Sequence, residues 1–98
     1  MKASELFRQR LVLSGNTFAE LVLWRLPRPL AGSRHSYKYR LAYIVDGQCV
    51  LRYDNEAGKG DHRHCGGKES RYRFTSPEKL VADFERDIER WNHENGNS

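Results

Sequence analysis

The sequence predicts an α+β fold: a small antiparallel β-sheet of four or five strands, built on two hairpins and covered by a C-terminal α-helix. Three observations carry this. Extended apolar runs flank a Gly15-Asn16 turn signal. Two more flank Asp46-Gly47. Near the C-terminus the apolar residues change from alternation to helical spacing. At 98 residues, 38% of them hydrophobic and 11% aromatic, the chain has the size of one domain and the material for a small core. Residues 1–98 therefore read as a single domain, with 93–98 a frayed polar tail.

Residues 6–14 read as the first strand, ending in Leu11-Val-Leu13. Residues 17–26 form the second. Phe18, Val22, Trp24 and Leu26 alternate with Ala19, Leu21 and Leu23, so both faces are largely apolar and Trp24 reads as core. Residues 27–36 hold two prolines and a glycine, and read as a surface connection carrying Arg28, Arg34 and His35.

The second hairpin pairs residues 37–45 with 48–54 across Asp46-Gly47. Asp-Gly suits a type I′ turn, whose two central residues both need positive φ. A two-residue turn sets the register. It places Tyr43 opposite Val50, Leu41 opposite Arg52 and Tyr39 opposite Asp54, with Arg40 opposite Tyr53 on the other face. Cys49 then reads as a small core residue and Cys65 as a loop residue. Two cysteines at this spacing make no disulfide framework, and both are expected reduced.

From Arg52 to His64 the chain leaves this strand and reads as a polar loop. Residues 71–74 follow as a short strand. Thr75 is placed to cap a helix, with Pro77 in its first turn and Glu78 three residues on. Leu80, Val81, Phe84, Ile88 and Trp91 then form one apolar stripe to about residue 92. Glu78, Lys79, Asp83, Glu85, Arg86, Asp87, Glu89 and Arg90 are expected mostly in water.

The net charge of +4 comes from arginines spread along the chain. Such a balance favours phosphate-rich or acidic partners. No apolar run approaches the roughly 20 residues that span a bilayer. The N-terminus lacks the apolar segment and small-residue cleavage site of a secretory signal. The expected location is the cytoplasm, with no membrane contact.

The chemistry concentrates in Lys59, Asp61, His62, Arg63 and His64. Histidine moves protons near neutral pH, and lysine and arginine clamp phosphate. If this segment is extended, His62 and His64 point the same way. Two imidazoles on one pocket suit RNA cleavage, one taking the 2′-OH proton and the other protonating the leaving 5′-oxygen. Lys59, Arg52 or Arg63 would neutralise the phosphorane. Asp61 or Asp54 would orient a histidine or arginine. Tyr53, with Arg40 and Tyr39 beside it, would position the nucleotide. No metal or cofactor is required. The bland alternative is a polar loop whose histidines bond to backbone. Asp-His-X-His matches no standard zinc spacing. Gly58-Lys-Gly60 is a weak phosphate cradle, since it does not open a helix.

Trp24-Arg-Leu-Pro27, Tyr37-Lys-Tyr-Arg-Leu-Ala-Tyr43, Val45-Asp-Gly47, Arg52-Tyr-Asp-Asn-Glu56 and Lys59-Gly-Asp-His-Arg-His64 together resemble the TumE family of prokaryotic toxin–antitoxin systems. The resemblance spans nearly the whole chain. It implies a small cytoplasmic toxin that arrests growth and is neutralised by a cognate antitoxin, typically a helix-turn-helix protein. The endoribonuclease expectation comes from the residues, not from the family. The architecture is also similar to RelE-like ribonuclease toxins, by analogy alone. The rival expectation is a non-enzymatic toxin that binds nucleic acid or an acidic protein through its basic face. A nucleotidyl- or phosphoryl-transferring toxin is a third.

Overall fold

The computed structural model describes residues 3–96. In chain order the elements are β1 (Ser4–Ser14), β2 (Thr17–Arg25), β3 (Tyr37–Val45), β4 (Gln48–Glu56), β5 (Gly60–Cys65), β6 (Lys68–Arg71) and α1 (Pro77–Glu94). All six strands form one antiparallel sheet in sequence order. The α+β class holds, with six strands rather than four or five.

The unexpected strands are β5, in the stretch read as a loop, and β6, most of which falls between that loop and the strand expected at 71–74. Neither shows apolar alternation: β5 is Gly-Asp-His-Arg-His-Cys and β6 is Lys-Glu-Ser-Arg. Their ladder is held by backbone pairing across a Gly66-Gly67 turn. The strand expected at 71–74 is reduced to Arg71, the last residue of β6. Beyond it, Tyr72, whose N still donates to Asp61 O at 3.1 Å, and Phe74 pack against the core.

One bulge decides which side chains face the solvent. Asp46 (φ 52°) and Gly47 (φ 77°) form the expected turn, and Val45 pairs with Gln48 and Ile44 with Cys49. Then the register slips, so that Tyr43 pairs with Leu51, Leu41 with Tyr53 and Arg40 with Asp54. Val50 is the extra residue, and its carbonyl accepts from Gly66 N at 3.1 Å. A one-residue slip moves every later side chain to the other face. Tyr39 and Tyr53 therefore share one face, and Arg40, Arg52 and Asp54 the other. The expected sharing of a face by Tyr39 and Asp54 is corrected.

The helix packs on the Tyr39–Tyr53 face. Leu21, Leu23, Tyr39, Leu41, Tyr43, Leu51 and Tyr53 are buried there with Leu80 and Phe84. Val81, Ile88 and Trp91 are partly buried against them. Ser76, not Thr75, is the N-cap, its Oγ accepting from Lys79 N at 3.1 Å. The helix reaches Glu94, so His93 and Glu94 belong to it rather than to a frayed tail, and 97–98 lie outside the described residues.

Two helix residues expected in water are buried. Asp83 and Asp87 are each only 5% exposed. Asp83 accepts from Tyr72 Oη, Lys79 Nζ and Arg86 Nη2. Asp87 accepts from Tyr53 Oη and Arg63 Nε. Helical periodicity sees only apolar residues, so a carboxylate that faces a tyrosine hydroxyl is invisible to it. Two further corrections concern the core. Cys49 is exposed beside its turn, and both cysteines are free. Trp24 is half-buried on the face opposite the helix.

The 26–36 connection is docked, not loose. Ala31 O accepts from Gly58 N at 2.6 Å. Gly60 has φ +79°, and a Cβ there would meet Gly32 O at 3.0 Å. Only glycine allows the two segments this close. Tyr37 N donates to His35 Nδ1 at 3.1 Å, which leaves the ring proton on Nε2 facing Asp61 Oδ2 at 2.7 Å.

Candidate functional site

The strand register arranges the helix-free face in rows. One row runs Glu20, Ala42, Arg52, His64, Glu69 from β2 to β6. The next runs Val22, Arg40, Asp54, His62, Arg71. Trp24 and Lys38 pair in the row beyond, and Glu56 follows Asp54 along β4 on the same face. His62 and His64 alternate on β5 and so project together, as expected for an extended segment.

Contacts join the two histidine rows. Glu69 places Oε1 3.2 Å from His62 Nδ1 and Oε2 3.5 Å from His64 Nε2. One carboxylate thus spans both imidazoles. Arg52 Nη2 lies 2.9 Å from His64 Nε2. Guanidinium has no acceptor, so Arg52 donates and His64 Nε2 carries the lone pair. Arg52 Nε lies 3.3 Å from Asp54 Oδ2, an ion pair outside hydrogen-bond geometry. His62 Nε2 is enclosed and has no hydrogen-bond partner among the described residues. The His64 side chain is 28% exposed and that of His62 13%.

A shallow cavity of about 320 Å³ lies next to this cluster on the same face. Val22, Trp24, Lys38, Arg40, Arg52, Asp54 and Glu56 line it. It is not centred on the histidines, but shares Arg52 and Asp54 with them. Among the described residues, no group of three or more His, Cys, Asp and Glu is placed to hold a metal ion.

The remaining sequence candidates lie elsewhere. Arg63 and Tyr53 face the helix. Arg63 Nε donates to Asp87 Oδ2 at 2.6 Å and to Tyr53 Oη at 3.1 Å. Hydrogen bonding to Asp87 pushes the Arg63 guanidinium further up in pKa, and burial with the Asp87 bond pushes the Tyr53 hydroxyl up. Both are held as a structural trio. Asp61 accepts from Tyr39 Oη at 2.7 Å, from Ser33 Oγ and from His35. Burial and this carboxylate likewise push Tyr39 up. Lys59 is exposed in the β4–β5 turn, apart from the paired histidines. The turn is not a phosphate cradle as it stands, because Gly58 N and Lys59 N already donate to Ala31 O and Glu56 O.

Glu69 was missed because it lies on the unrecognised β6. His35 was missed as an anchor because nothing local predicts its contact with Asp61. Asn55, 0% exposed, also has a structural part: its side chain accepts from Tyr39 N at 3.0 Å and donates to Tyr37 O at 2.7 Å. It extends the β3–β4 ladder past the last paired residues. The dense motif from Arg52 to His64 thus splits by parity into a solvent-facing half and a fold-holding half.

A family model described as "Toxin TumE" matches residues 2–92. No curated protein and no solved structure matches the chain.

Proposed function

The chain belongs to the TumE toxin family, and from that premise we propose that its helix-free sheet face cleaves RNA without a metal. As a toxin of a toxin–antitoxin system it has an antitoxin as partner. No helix among the described residues is long and apolar enough to cross a membrane. In this reading the toxin acts on cytoplasmic RNA, and its antitoxin is a helix-turn-helix protein.

The observation that carries the proposal is the Glu69 carboxylate spanning His62 and His64 beside Arg52. In this reading Glu69 Oε1, 3.2 Å from His62 Nδ1, keeps the proton on that nitrogen, which leaves the lone pair on Nε2 and makes His62 the base. His62 accepts the 2′-OH proton as the 2′-oxygen bonds to phosphorus. The P–O5′ bond breaks, and His64, protonated at Nε2 once Arg52 turns from that nitrogen to the phosphate, protonates the departing 5′-oxygen. Arg52 meets the charge on the phosphorane oxygens. Asp54 holds Arg52 from the far side. Arg40 and Lys59 bind flanking phosphates. One proton is gained and one lost, so no external acid is needed. The products are a 2′,3′-cyclic phosphate and a 5′-hydroxyl. Each positioned acid or base contributes about 10²–10⁴-fold. Because His62 Nε2 is enclosed, substrate must part the side chains around it.

That same enclosure favours a second reading, a toxin that binds without cleaving. His64 Nε2 is already occupied by Arg52 and His62 Nε2 is covered. Purified protein incubated with RNA in EDTA separates the two. Cleavage that disappears in His62→Ala and His64→Ala supports the first; binding without cleavage supports the second.

A further inference from the structure

We infer that the cavity beside the histidines is a guanine-binding subsite, which rests on the proposal that this face receives RNA. Three of its lining groups have no hydrogen-bond, ion-pair or ring partner among the described residues: Trp24, Arg40 and Glu56. They are also three different tools. Trp24 is a half-buried ring on β2 with one side toward the cavity. Arg40 is an exposed cation on β3, in the row of Asp54 and His62. Glu56 is a carboxylate at the exposed end of β4.

An indole stacks on any base without choosing among them. The choice falls to the carboxylate, which only accepts hydrogen bonds. Guanine offers N1–H and N2–H side by side on its Watson–Crick edge and matches both carboxylate oxygens. Adenine sets the N1 lone pair against the carboxylate. Cytosine offers N4–H next to the N3 lone pair, and uracil offers one N–H between two carbonyls. Glu56 therefore selects guanine. Asp54 is less available for this, because it holds Arg52.

The spacing fits one nucleotide. His62 pairs with Asp54, so Glu56 is its diagonal neighbour, about 7–8 Å away across the sheet. The guanosine in the cavity is the residue adjoining the scissile phosphate, with Arg40 on its phosphate. Lys38 lies in the same cavity, but its ammonium already donates to Asn55 O.

The test titrates the whole protein with 5′-GMP, AMP, CMP and UMP and follows the Trp24 indole resonance. GMP should shift it at about tenfold lower concentration than the other three. Glu56→Gln should abolish that preference while retaining weak binding of all four. Arg40→Ala should weaken all four alike. Equal responses to the four nucleotides, or an unmoved Trp24 resonance, overturn the inference. Guanine-selective binding without RNA cleavage would retain the subsite and defeat the ribonuclease reading. Cleavage indifferent to guanosine, with no response to GMP, would do the reverse.

Discussion

Arg52 Nη2 donates to His64 Nε2 at 2.9 Å, directly across the β4–β5 ladder. This pair exists on the open face only because Val50 bulges out of β4. It sets the tautomer of His64 and puts a fixed positive charge beside it. Arg52→Ala should therefore lower RNA cleavage by about 10²-fold or more, as loss of one transition-state charge donor does elsewhere. Arg52→Lys should recover little, since a lysine cannot reach His64 and Asp54 with one rigid fork. Single-turnover rates at saturating RNA check this; full activity in Arg52→Ala would remove Arg52 from the mechanism.

Glu69 should behave as a positioning residue. Glu69→Gln keeps the shape but loses the charge between His62 and His64. The expected result is a reduced cleavage rate with a displaced pH profile and near-normal RNA affinity. An unchanged profile would leave the bridging carboxylate without a part in proton transfer.

Arg63 tests the division between the two faces. Asp87→Ala leaves the Arg63 charge and the Tyr53 hydroxyl without their acceptor beneath the helix. Urea unfolding should show a loss of about 2–3 kcal/mol, below the range for a fully buried pair because Arg63 is partly exposed. Arg63→Gln should likewise destabilise, yet the protein that remains folded should cleave RNA normally. Selective loss of cleavage with unchanged stability would return Arg63 to the site.

Asp83 gives a pH signature. Burial alone would raise its pKa, but hydrogen bonds from Tyr72 and Lys79, with the Lys79 and Arg86 charges, outweigh it and hold the carboxyl below the usual aspartate range. A lowered native pKa adds stability above the unfolded value of about 3.9, and that stability is lost as pH falls through the native value. Asp83→Asn should be less stable than wild type near neutral pH, and the difference should shrink below about pH 4. A difference constant across that range would contradict the assignment.

Much of the fold is legible in particular residues. Asp46-Gly47 announces its turn, the Leu80–Phe84–Ile88 stripe announces the helix, and the Pro-rich connection announces a break. Three things are not. The Val50 bulge costs no residue type that a reader would notice, yet it exchanges Arg52 and Tyr53 between faces. β5 and β6 lack apolar alternation because the inward side of β5 is polar, with Asp61 and Arg63 bonded to partners distant in sequence. Asp83 and Asp87 sit among solvated helix residues and differ from them only in meeting Tyr72 and Tyr53. At the site, alternation along β5 correctly joins His62 to His64. It also separates Asp61 and Arg63 from them, a consequence that follows once the segment is known to be a strand.

The close approach at Gly60 is a separate test of how the Arg52–His64 stretch is held. Gly60→Ala imposes a positive φ on a residue with a Cβ and drives that atom against Gly32 O at 3.0 Å. A left-handed conformation alone costs about 1–2 kcal/mol. The clash with backbone should bring the total to about 2–3 kcal/mol in urea unfolding. Neutral behaviour would mean that the 26–36 connection is not docked on the β4–β5 turn.

We propose that His62 and His64 cleave RNA on the helix-free face. This is tested most directly by incubating purified toxin with end-labelled RNA in EDTA and identifying the termini. The expected products are fragments with 2′,3′-cyclic phosphate and 5′-hydroxyl ends, and both cleavage and growth arrest should be lost in the His62→Ala/His64→Ala double variant. Intact RNA, together with a folded double variant that still arrests growth, would contradict it.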